Sequence, residues 1–125
     1  MRLSTKKAIQ RVGTHCCLAT LAFGALTGCH SHYVAIDVTN SSGQPISLLE
    51  VDYPSASFGV DSLAAGADYH YRFKILGDGP TKLLWTDAQQ HDHTVAGPPL
   101  HEGQEGTLTA TITANTALWT AHLNP

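Results

Sequence analysis

Histidine is the residue with chemical potential that this chain carries in excess. Beyond residue 28 there are His30, His32, His70, His91, His93, His101 and His122. Neutral imidazole is a ready ligand for zinc, copper and nickel. His91-Asp92-His93 puts two rings on one face if that segment is extended, because side chains alternate along a strand. His101 follows the Gly97-Pro98-Pro99 turn, and Asp87 is a nearby oxygen donor. The candidate metal site is therefore His91 and His93, completed by His101 or Asp87. Its spacing is not that of recognised zinc motifs, and the polar Gln89-Gln90 surroundings suit solvated turn histidines better. His30 and His32 form a second His-x-His pair.

Other chemistries lack their parts. Nucleophilic hydrolysis needs a nucleophile, a base and an orienting group, yet there is no Gly-x-Ser-x-Gly elbow and no Ser-x-x-Lys. Gly103-Gln104-Glu105-Gly106 is acidic and has no phosphate-loop lysine. Glu102 and Glu105 read as a solvated turn rather than a carboxylate pair in an apolar pocket. The expectation is a protein that is not an enzyme and takes no dissociable cofactor.

The cysteines are Cys16, Cys17 and Cys29. With none later, the body of the chain has no internal disulfide and no Cys-x-x-Cys motif. Residues 1–11 are basic and residues 12–26 mostly apolar, the layout of a secretory signal peptide. That apolar run falls short of the ~20 residues a spanning helix needs. It ends in Leu26-Thr27-Gly28-Cys29, which resembles the bacterial lipobox at every position.

The resemblance implies signal-peptidase recognition through Leu26, Thr27 and Gly28, and cleavage before Cys29. It also implies diacylglycerol on the Cys29 thiol and, in many species, an N-acyl chain. Each buried methylene adds about 0.8 kcal/mol, so two or three acyl chains anchor durably where one does not. His30 stands where an Asp commonly retains enterobacterial lipoproteins at the inner membrane, which implies the outer membrane here. A plain secreted protein cut after Gly28 is the alternative.

The elements that must position any site lie in the remainder. The chain divides into a signal peptide (1–28), a lipidated N-terminus with short tether (29–32) and one domain (33–125). All ten acidic residues follow Cys29, against Arg72, Lys74 and Lys82 alone. A formal charge of −7 repels phosphate backbones, so no nucleic-acid partner is expected.

Period-two alternation dominates that domain. In 68–75, Tyr69, Tyr71, Phe73 and Ile75 share one face, with His70, Arg72 and Lys74 on the other; 107–113 alternates Leu108, Ala110 and Ile112 with threonines. Further strands are expected over 33–39, 46–53, 82–87, 91–96 and 117–123. Trp85, Trp119, Tyr53, Tyr69, Tyr71 and Phe73 are expected to pack in the core. Phe58-Gly59 reads as part of a Ser55–Val60 turn, with Phe58 plugging one end. Turn chemistry separates the strands at Asn40-Ser41-Ser42-Gly43 and Gly77-Asp78-Gly79-Pro80.

About seven short strands indicate an all-β fold, an antiparallel immunoglobulin-like β-sandwich; a transthyretin-like sandwich or small barrel is the alternative. The stretch from Ser62 to Phe73, a leucine, a short glycine turn and an alternating aromatic strand, resembles many bacterial immunoglobulin-like envelope modules. The functional expectation is a lipid-anchored cell-envelope protein with a structural or protein-binding role. A free sheet edge is the recognition mode available to it.

Overall fold

A computed structural model describes residues 32–125. Leu26, Thr27, Gly28, Cys29 and His30 lie outside the described residues, so lipidation is a matter of sequence alone. Eight strands follow one another: β1 (Val34–Asn40), β2 (Ile46–Tyr53), β3 (Ala56–Leu63), β4 (Asp68–Phe73), β5 (Lys82–Thr86), β6 (Asp92–Ala96), β7 (Glu105–Ile112) and β8 (Ala117–Asn124). They form two four-stranded sheets, ordered β4-β1-β7-β8 and β3-β2-β5-β6. Neighbours are antiparallel except β1 and β7, which run parallel. The expected β-sandwich is present. An immunoglobulin constant-type sandwich shares its strands four and three; the eight strands here split four and four.

The alternation read from the sequence sets the two faces. β1 buries Val34, Ile36 and Val38 and turns Ala35 and Asp37 outward. β7 buries Leu108, Ala110 and Ile112 against the same core, which Leu49, Val51, Leu83 and Trp85 of the other sheet complete. Each fully buried aliphatic side chain contributes about 1.5–3 kcal/mol. In β2 the phase shifts: Ile46 is buried, Leu48 is 65% exposed, and Leu49 and Val51 are buried again. Leu48 has φ +49°, and the register against β5 slips between Ser47 and Glu50. This is a β-bulge, where one extra residue re-aims the side chains beyond it.

The eighth strand is β3, and it corrects one expectation. Ser55–Val60 is not a turn: the reversal takes only Pro54 and Ser55, since Tyr53 already pairs with Ala56. Phe58 is a buried strand residue, not a loop plug. Gly59 allows β3 to lie close to β2, because a Cβ there would sit 2.0 Å from the Leu49 carbonyl oxygen. Phe58 meets Tyr53, Phe73 and Tyr71 at centroid distances of 5.7, 5.1 and 4.2 Å. This aromatic cluster closes the side of the sandwich between β3 and β4. Trp85 and Phe73 are buried and Tyr53, Tyr69 and Trp119 partly so, as expected, but Tyr71 is 43% exposed and stacks on Phe58 from outside.

Asn40 ends β1 in full burial. Its Nδ2 donates to the carbonyls of Gln44, Leu63 and Ala64 at 2.7, 3.1 and 3.1 Å. Its Oδ1 accepts from the Ser42 N–H and hydroxyl at 3.1 and 2.6 Å. A buried amide so fully satisfied ties the β1–β2 loop to the β3–β4 turn.

Strand direction sorts the loops into two ends. The chain enters β1 beside Tyr33; the β2–β3 turn, the 74–81 and 97–104 loops and the end of β8 share that end. The β1–β2, β3–β4, β5–β6 and β7–β8 turns lie at the other.

Candidate functional site

The residues singled out for metal chemistry fall into two groups. His91 and His93 follow the turn after β5, where Thr86 pairs with Asp92. His101 lies past the far end of the same hairpin, where Lys82 pairs with Ala96. There its Nδ1 is 3.7 Å from Asp78 of the neighbouring loop. His101 is thus at the chain-entry end, and the structure does not bring it to His91 and His93.

Asp87 does join that pair. Its Oδ1 accepts the backbone N–H groups of Gln89 and His91, each at 2.9 Å, so the turn wraps around the carboxylate. Its Oδ2 accepts from His93 Nε2 at 2.8 Å, with His91 Nδ1 at 3.6 Å. The His93 hydrogen bond, then the His91 and Gln89 amides, hold the Asp87 carboxyl down to about 2. His93 faces inward from edge strand β6 and lies flat on Trp85, ring centroids 4.9 Å apart and planes 13° apart. Among the described residues, no group of three or more His, Cys, Asp and Glu is arranged to hold a metal ion. As it stands, the arrangement closes a hairpin: a charge-assisted bond fixes the imidazole that covers Trp85.

His70 sits outside the sheet on β4, opposite Asp37 of β1. The two side chains are in direct hydrogen-bond contact, and both are exposed. That bond and the charge of Asp37 raise the His70 imidazole above its ordinary value. No local feature of the sequence marks a partner for His70; the β1–β4 register supplies it.

Two surfaces can receive a ligand or partner. At the end remote from Tyr33, Ser42, Gln44, Ile46, Asp87, His91 and Asn115 line an open groove of about 340 Å³ and mixed character. The second is the β8 edge. All eight of its residues pair with β7 on one side, and among the described residues no strand pairs on the other. The remaining edge strands each carry charge: Asp61 on β3, Asp68 and Arg72 on β4, Asp92 on β6. β8 has no Asp, Glu, Lys or Arg, and Leu118 is 65% exposed on it. Uncharged, unbulged edges are templates for strand addition.

No family model matches the chain, and no curated protein matches it. Among solved structures it is similar to the NMR structure of a protein from Eubacterium rectale. The TM-score is 0.55 at 10% identity, over 70% of this chain and 88% of that one. Such a likeness shows a shared fold.

Proposed function

We propose that this chain is a lipid-anchored protein of the bacterial cell envelope, held in the outer membrane by acyl groups on Cys29. Its sandwich is a non-catalytic module that binds an envelope polypeptide along β8. The lipobox supports the anchor. The observation that carries the binding reading is the open edge of β8, eight residues long and free of charge. An extended partner segment would add to the β4-β1-β7-β8 sheet by main-chain hydrogen bonds, with Leu118 offering one apolar contact.

Crosslinking in intact cells tests this. Leu118→Lys with Thr120→Lys places charges on exposed positions of the edge, a protective device natural sheets use. A neighbour captured by the wild type and lost by this folded variant supports the reading; the same neighbour captured equally by both contradicts it.

A metal site is the second reading, favoured by the convergence of His91 and His93 on Asp87 Oδ2. It requires His93 to exchange its carboxylate bond for a metal bond. Stoichiometric zinc, copper or nickel in protein purified without a histidine tag, lost in His91→Ala/His93→Ala, would establish it.

A further inference from the structure

Arg72, near the end of β4, and Lys74 and Leu76, just beyond it, follow one another at every second position, and all three are exposed. Leu76 is 65% exposed. Tyr33, the residue before β1, lies beneath the cations: the Arg72 guanidinium carbon is 4.2 Å and the Lys74 Nζ 4.9 Å from its ring centroid. Among the described residues, neither cation has a carboxylate within ion-pair distance. On the same outer face, Asp37 of β1 stands opposite His70, two residues along β4 from Arg72, and bonds that imidazole; Glu105 of β7 has His32 Nδ1 at 3.7 Å. Asp78 and Glu102 share this end of the molecule, where Asp78 accepts the Glu102 N–H at 2.8 Å and faces His101. Lys82, the third cation of the domain, is at this end too, opposite Asp52. Among the described residues, the remote end carries Asp61, Asp68, Asp87 and Asp92 and no lysine or arginine.

We infer that Tyr33, Arg72, Lys74 and Leu76 form a membrane-contact face for anionic phospholipid, which docks this corner of the sandwich on the bilayer that holds Cys29. The inference rests on the anchor reading. Tyr33 stands four positions beyond Cys29, a reach of at most about 14 Å, so the face lies close to the headgroups and near the range of unscreened charge. Its composition is that of an interfacial contact: an aromatic ring at headgroup level, cations for lipid phosphates and one aliphatic side chain to insert. The domain as a whole is acidic, so only this corner can approach an anionic surface. Docked in this way, the β5–β6 turn and the groove beside it point away from the membrane.

The acylated chain in vesicles tests the contact. A nitroxide on Leu76→Cys reports lipid against water, and one on Leu118→Cys, at the remote end of β8, is the control. Vesicles of phosphatidylcholine alone are compared with vesicles containing phosphatidylglycerol. In the anionic vesicles, the Leu76 label should lose about tenfold in accessibility to a water-soluble relaxation agent, consistent with two cations near a charged surface. The Leu118 label should stay accessible. Arg72→Gln/Lys74→Gln should abolish the protection, as should salt of about 1 M acting on the native residues.

A Leu76 label equally accessible in both compositions overturns the inference and leaves the anchor standing. So does protection that survives neutralisation and salt. A chain bearing no acyl groups overturns both.

Discussion

His93 donates to Asp87 Oδ2 at 2.8 Å while its ring lies flat against Trp85. One side chain therefore joins the polar turn at 87–91 to the apolar interior. The pair links an acid-sensitive bond to core packing, and pH should read it out. The Asp87 carboxyl is held down to about 2, below its ordinary 3.8. A group with a depressed folded pKa stabilises the fold above its unfolded pKa, and that contribution is lost as pH falls through the folded one. Unfolding midpoints should therefore drop between about pH 4 and pH 2. Asp87→Asn should lower stability at neutral pH and flatten that part of the profile. A variant with the wild-type acid profile would show that another carboxylate is responsible.

His70 behaves in the opposite sense. Its hydrogen bond to Asp37 raises its pKa above 6.5, so the contribution is complete in acid and fades as pH rises through the folded value. NMR titration of the imidazole should show a raised midpoint that falls back toward 6.5 in Asp37→Asn. Because both side chains are exposed, the melting temperature should hardly move.

Asn40 is the polar residue on which two loops depend. Asn40→Ala removes three donated bonds and leaves the buried Leu63 carbonyl without that donor. The cost should be about 2–3 kcal/mol in chemical denaturation. A change under about 0.5 kcal/mol would mean that the β1–β2 and β3–β4 connections hold without it.

Gly59→Ala tests the closeness of β2 and β3. The added methyl meets the Leu49 carbonyl oxygen at 2.0 Å, so backbone has to move. A loss of about 1–3 kcal/mol is expected, in the range of overpacked cores, together with altered Phe58–Tyr71 packing. Wild-type stability would show that the edge strand yields freely.

These residues also mark what the sequence displays. Alternation in β1, β4 and β7 identifies their buried faces, because one side of each meets the core and the other meets water. β3 hides, since Ala56, Ser57 and Gly59 have weak strand preference and its burial comes from packing beside β4. Asn40-Ser41-Ser42-Gly43 reads as a turn, yet nothing local reveals that Asn40 reaches carbonyls more than twenty positions away. Of the candidate site, the nearness of Asp87 to His91 and His93 follows from a tight hairpin. The separation of His101 follows from the length of β6, which carries the chain to the other end. The Arg72–Tyr33 contact depends on β1–β4 register, which no single segment specifies.

Mass spectrometry of the mature N-terminal peptide, from protein extracted with detergent out of its native envelope, bears most directly on the central claim. A peptide beginning at Cys29 and carrying the mass of diacylglycerol, with or without an N-acyl chain, is the predicted result. A mature terminus at another residue, or Cys29 with a free thiol, would contradict it.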